Sequence, residues 1–260
     1  MKKYELTNEV IDFKGRKLHR IKALRDFSNV TAGDLGGYVE SEENLSHEGN
    51  AWIYNVAKVY ENAIICDNAT VHNSSEVFGN AWIYDNARII GCSQVYENAI
   101  ICGEAEVYNS AKVYGNAKIF ENASIFMRAQ VYGYAKVFGY ANIEDNAQIY
   151  GYAEVRTSTI SKKAKVYGYA EVYDGAQIGM NAQICEGEDY TLIKGFGKYH
   201  RTTTFFRCED GKVRVICGCF SGTLKEFREQ VERTRDGKVA KEYLMIADLM
   251  ELHFTDKEDE

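Results

Sequence analysis

No proline occurs anywhere in the 260 residues, where ~5% is usual. A chain without proline keeps every backbone amide as a donor. Long apolar runs are missing too. None approaches the ~20 residues that a membrane-crossing helix needs. Met1-Lys2-Lys3-Tyr4-Glu5-Leu6 has no apolar signal core, so the expectation is a cytoplasmic protein with no membrane partner. Positive charge is in the minority, with 31 Lys and Arg against 38 Asp and Glu, a net of −7. That excludes a chain built to neutralise a phosphate backbone, so direct nucleic-acid binding is not expected. Walker loops, HExxH and a G-x-G-x-x-G after a strand are all absent.

What is present is a repeat. Gly49-Asn50-Ala51-Trp52-Ile53-Tyr54 returns as Gly79-Asn80-Ala81-Trp82-Ile83-Tyr84. Aligned on the branched residue, the period is six from Ile53 to Val155 without a slip. One interval of five leads to Ile160, and the six resumes to Ile184. All 23 anchors are Val or Ile, and Ala stands two residues before 20 of them, the others being Ser75, Ser93 and Ser158. A period of six fits no helix, because 3.6 residues per turn would walk the anchors around the axis. It fits a short strand and a corner. Residues two apart share one side of a strand, so Ala and the anchor point inward together. Gly, Asn, Asp and Glu between anchors suit a corner, where left-handed backbone is needed. Three hexads close a coil of about 18 residues, and stacked coils pair strand over strand at ~4.8 Å.

This pattern resembles the hexapeptide-repeat, left-handed parallel β-helix family, in which an aliphatic residue is followed four positions later by a small one. Ile53/Ala57 and Val59/Ala63 begin a match that runs over residues 49–185. The resemblance implies the left-handed coil. The expected organisation is an all-β solenoid (49–185) between an N-terminal β cap (1–48) and a small C-terminal α+β domain (186–260). In the cap, Val10 to Phe13 and Leu18 to Leu24 read as strands around Lys14-Gly15-Arg16. In the C-terminal domain, Tyr190 to Ile193, Thr202 to Cys208 and Lys212 to Phe220 read as strands, with Glu209-Asp210-Gly211 as a turn. Thr223 with Glu226 is a capping-box signature for a helix to about Arg233. A second helix, about Val239 to Phe254, is too apolar for an isolated surface helix. Arg25 to Val39 and Cys217-Gly218-Cys219-Phe220-Ser221-Gly222-Thr223 resemble segments of uncharacterised bacterial and prophage β-helix proteins, some of them labelled acyltransferases.

Outward residues sort into three faces at a spacing of 18. One face reads Tyr60, Phe78, Tyr96, Tyr114, Tyr132, Tyr150 and, past the slip, Tyr167. A fully exposed stripe of that length is a large apolar patch, which monomers seldom show. The first reading is an interface in a homo-oligomer, a dimer or trimer; then ladder stacking; then a ligand surface. Four corners carry Tyr where Asn is typical: Tyr134, Tyr140, Tyr152 and Tyr169. They are secondary binding candidates, since Tyr suits adaptable recognition, with corner packing as the structural alternative. His200, Arg201, Arg207 and Arg214 form a basic spot that could hold a phosphate or carboxylate, unless Glu209, Asp210 and the helix acids neutralise it.

Enzymes resembling the repeat transfer acyl groups with a histidine base and bind the acyl carrier between subunits. The solenoid holds one histidine, His72, with no carboxylate neighbour to orient it, and no loop interrupts Gly49 to Val155. His72 is therefore a weak catalytic candidate. The seven cysteines read as reduced thiols. Cys217 and Cys219 alternate with Val213 and Val215, which places both on one buried strand face, and the spacing with Cys208 fits no usual zinc pattern. No metal or cofactor is expected. The functional expectation is a non-catalytic binding or scaffolding protein. The prophage resemblance implies action in a host cytoplasm against host defence, by holding a host protein or a small nucleotide-like signalling molecule. The alternative is an acyltransferase using an acyl-CoA donor. A structural fibre or virion component is disfavoured, because the α+β end would obstruct open-ended stacking.

Overall fold

Each Val or Ile anchor sits in a strand of two or three residues, from Trp52–Ile53 to Gln183–Ile184, in a computed structural model that describes residues 2–197 and 199–255. Every anchor is buried, and so is every Ala or Ser two positions before it. The three serines remain tolerable inside because their hydroxyls find carbonyls: Ser75 Oγ donates to Gly91 O at 3.3 Å and Ser93 Oγ to Ile90 O at 2.8 Å.

The strands pair in parallel with partners 18 residues away, as in Lys58↔Glu76 and Gln94↔Lys112. Three walls result. One begins at Trp52–Ile53, one at Lys58–Val59 and one at Ile64–Ile65. After the five-residue interval the partner lies 17 residues away, as in Asn142↔Thr159 and Glu154↔Glu171. The chain is thus a parallel β-solenoid whose register survives one deletion, absorbed at the corner residue Thr157. Backbone amides bond from coil to coil, Trp82 N to Ala99 O at 3.0 Å and Tyr84 N to Ile101 O at 3.1 Å. Proline at such positions would remove a rung.

Corners take left-handed backbone at Asn55, Glu61, Asp67 and their successors. Gly133 (φ +72°) is one place where both the left-handed backbone and the close approach of the next coil favour glycine. A Cβ there would lie 3.0 Å from the amide nitrogen of Gly151 in the next coil.

The first coil is closed by β1 (Tyr4–Phe13), β2 (Arg16–Ala23) and β3 (Leu35–Val39). β1 and β2 form the expected hairpin around Lys14-Gly15, and β1 starts earlier than the sequence suggests. β3 pairs in parallel with Lys58–Val59, so the cap continues one wall of the solenoid. Lys3 is wholly buried beneath the first coil. Its ammonium donates to Ala51 O at 2.8 Å and Glu48 O at 3.4 Å, carbonyls with no coil below them.

The last coil is closed by an antiparallel sheet of β4 (Tyr190–Phe196), β5 (Arg201–Arg207), β6 (Val213–Cys217) and β7 (Phe220–Thr223), in that order. Alternation along β5 divides its side chains. Phe206 joins the solenoid core, and Thr204 accepts a hydrogen bond from Gln177 N at 3.0 Å. Phe205 faces away and packs with α1 (Leu224–Thr234) and α2 (Gly237–His253). The capping box of α1 is formed: Glu226 N donates to Thr223 Oγ1 at 3.1 Å, and Thr223 N to Glu226 Oε2 at 2.7 Å. One expectation fails here. Lys212 to Phe220 is not a single strand, because Gly218 (φ +61°) and Cys219 make a hairpin turn between β6 and β7. Cys219 is consequently exposed, and Cys217 half-buried, instead of both lying inside one strand face.

Candidate binding surfaces

His72 follows the anchor Val71 on the wall that begins at Trp52–Ile53. Its ring stacks on Tyr54, with centroids 4.3 Å apart and planes within 4°. Burial, aided by the Arg88 guanidinium, holds its pKa below the ordinary histidine value. At neutral pH the ring is an uncharged imidazole stacked on Tyr54, and no ion pair with a carboxylate orients it among the described residues.

The stripe Tyr60, Phe78, Tyr96, Tyr114, Tyr132, Tyr150 and Tyr167 is one continuous stack. Successive centroids lie 4.9 to 5.2 Å apart and planes stay within 7°. Parallel in-register strands impose that spacing, so equivalent rings cover each other's faces. In this ladder Tyr60 is buried and the other rings are half-buried, so the stripe is not a fully exposed patch. The cap hairpin seals the first rung. Phe13 meets Tyr60 edge-on at 5.8 Å, and Lys14 Nζ donates to its hydroxyl at 3.2 Å. Burial pushes the Tyr60 phenol up to about 12.

Exposed apolar side chains gather on the wall that begins at Ile64–Ile65. Ile64 is 44% exposed and Trp82 is 46% exposed, and Trp82 is the register neighbour of both Ile64 and the half-buried Ile100. Tyr84 lies 4.6 Å from Trp82 between ring centroids, and the Trp82 indole N–H donates to Cys66 Sγ at 3.3 Å. Sequence reasoning followed the residue after each anchor and missed the residue before it, which also points outward. The signal was legible: of the 23 residues that precede an anchor, only Trp52, Ile64, Trp82 and Ile100 are apolar.

The corner leading into this same wall changes character along the solenoid. Asn62, Asn80, Asn98 and Asn116 form a side-chain amide ladder at 3.0, 3.0 and 3.3 Å. The next three coils replace it with Tyr134, Tyr152 and Tyr169, stacked at 5.0 Å and all exposed. A groove of about 420 Å³ runs beside them, floored by Lys118, Lys136, Glu154 and Glu171. Tyr140, grouped with these three in the sequence, stands alone at a different corner and is 69% exposed.

The basic spot does not assemble. Arg201 and Arg207 lie at opposite ends of β5. Arg214 pairs with Asp210 at 2.6 Å. Arg207 donates to Phe254 O at 3.0 Å and lies 3.9 Å from Asp189. His200 Nδ1 is 2.9 Å from Gly195 O. Among the described residues, no three His, Cys, Asp or Glu side chains converge as a metal site would require, and no helix is long and apolar enough to cross a membrane.

The inward Ala and Val/Ile, the coil of about 18 residues and the three walls together decide the architecture. The repeat folds as a parallel β-solenoid. No family model matches the chain. A curated relative, the uncharacterized acetyltransferase YdcK of Escherichia coli (strain K12), is 40% identical over 63 residues, which is 21% of this chain and 19% of that protein. The chain thus matches less than a fifth of the relative's length. The solenoid architecture is compatible with acyl transfer.

Proposed function

We propose that this chain is a non-catalytic binding protein that associates with copies of itself, as a dimer or trimer, through the wall carrying Ile64, Trp82 and Ile100. The observation that carries the reading is the gathering of exposed apolar side chains on one wall, with the Tyr134–Tyr152–Tyr169 stack along its edge. Ile64 and Trp82 are already half covered, so burying the remainder contributes roughly half of the ~1.5–3 kcal/mol that full burial of such a side chain gives, and monomers seldom leave such a patch uncovered. The tyrosine stack and its groove then serve the partner. The prophage resemblance supplies the partner's class, a host protein or a small signalling molecule. Light-scattering mass tests the association. The wild type should give a discrete multiple of 29.5 kDa, and Trp82→Glu should give a monomer with unchanged circular dichroism. A wild-type monomer would end this reading. Native mass spectrometry of protein taken from its natural host reads the mass of any held molecule.

The partial likeness to a protein named an acetyltransferase favours a second reading, acyl transfer from an acyl-CoA with His72 as base. It requires acetyl-CoA consumption that disappears in His72→Ala. A half-buried imidazole without a carboxylate supports it poorly.

A further inference from the structure

The C-terminal unit contains a cleft away from the walls of the solenoid. It opens between the β6–β7 turn, the end of α1 and the start of α2. Two cavities of about 410 and 500 Å³ meet there and share Arg201, Cys217, Thr234, Arg235 and Tyr243 as walls. That size range is typical of small-molecule sites.

Two cations face this space without acidic partners. Neither the Arg201 nor the Arg235 guanidinium has a carboxylate within 4.0 Å among the described residues. Elsewhere in the same unit Arg214 and Arg228 are both held by acids. Arg201 stacks over the Tyr199 ring at 5.0 Å. Its guanidinium lies directly over Gly218, where a Cβ would come within 2.2 Å of Nη1. The guanidinium thus packs against the β6–β7 turn. Arg235 ends α1, donating Nη1–H to Thr234 O at 2.9 Å, which leaves donors of its fork for a ligand. One acid, Asp236, lines the wider cavity against these two cations.

The rest of the lining is flat and apolar. Phe227, Val231 and Tyr243 are buried beneath the cleft, and Phe220 lies 5.5 Å from Phe227 between centroids. A cleft with two guanidiniums above an aromatic floor suits a ligand with a charged end and a flat body. Guanidinium forks match the oxygens of phosphate and carboxylate alike.

We propose that this cleft binds a small organic anion carried on a flat ring, with Arg201 and Arg235 gripping its phosphate or carboxylate. The site is independent of the association wall, so the two ideas can fail separately.

Calorimetric titration of the full chain tests it with AMP, 4-hydroxybenzoate, adenosine and inorganic phosphate as probes. At least one of the two ring-bearing anions should bind with a micromolar Kd. Adenosine and inorganic phosphate should bind at least tenfold more weakly. Binding of AMP alone assigns a phosphate ester; binding of 4-hydroxybenzoate alone assigns a carboxylate. Arg201→Gln and Arg235→Gln should each weaken the productive probe tenfold or more, and both side chains are exposed, so the fold should survive. Arg214→Gln serves as a charge-matched control and should change nothing. The proposal is overturned if neither anion binds below millimolar concentration, if adenosine binds as tightly as the anion that does, or if the arginine variants bind as the wild type does.

Discussion

Lys3 should make the stability of the N-terminal cap rise with pH, against the trend of the rest of the chain. Its side chain is wholly buried, and desolvation lowers its pKa from 10.5 to about 8, with the Arg25 charge contributing. At about 1.4 kcal/mol per unit, the folded state carries a penalty of ~3 kcal/mol while the ammonium stays protonated in both states, that is, below pH 8. Between pH 8 and 10.5 the folded chain loses this proton and the unfolded chain keeps it, so the penalty is relieved. Other groups oppose the trend. Burial raises the thiols of Cys66, Cys102 and Cys208, so the unfolded chain ionises first and overall stability falls in alkali. The difference between wild type and Lys3→Met isolates the lysine. Methionine also forfeits the hydrogen bonds to Ala51 O and Glu48 O, but that loss is constant with pH. Urea unfolding, followed by Trp52 emission in a Trp82→Phe background, should show wild type gaining ~2 kcal/mol on the variant from about pH 7.5 to about pH 9.5. Parallel curves would refute the depressed pKa. Trp52 is a suitable reporter because it is buried 6.2 Å from the Tyr4 ring.

Ile101→Ala, in mid-solenoid, should cost ~3–5 kcal/mol, because coils locked by backbone ladders cannot collapse into the cavity; a urea-midpoint loss equivalent to less than about 1 kcal/mol would contradict that rigidity. Tyr96→Ala removes two stacked contacts, at 4.9 Å on each side, and should cost ~1–3 kcal/mol from stacking alone. Tyr152→Ala, at an exposed stack, should cost less than Tyr96→Ala in the same denaturation series.

The solenoid was legible because its constraint is purely local. Each hexad repeats one small inward residue, Ala in all but three, and one inward Val or Ile, and the missing proline fits amides that are claimed by the neighbouring coil. The stripe from Tyr60 to Tyr167 was legible as a column, but not its burial, because in-register stacking covers the rings only once the coils are piled. Trp82 is hidden in the sequence because it precedes its anchor, in a strand position that is polar in most coils. The β6–β7 turn was hidden by Val213, Val215, Cys217 and Cys219, whose alternation imitates one strand across Gly218. The cleft was illegible in principle: Tyr199 and Arg201 meet Arg235 only through the packing of α1 and α2 on the sheet.

Whether the wall that begins at Ile64–Ile65 is covered can be read from acrylamide quenching of tryptophan emission at working concentration. The chain has two tryptophans: Trp52 is 1% exposed and Trp82 is 46% exposed in the isolated chain. An associating scaffold predicts that both resist quenching, and that dilution or Ile64→Glu opens one of them. A quenchable Trp82 at every concentration would contradict the central claim that this wall is an interface.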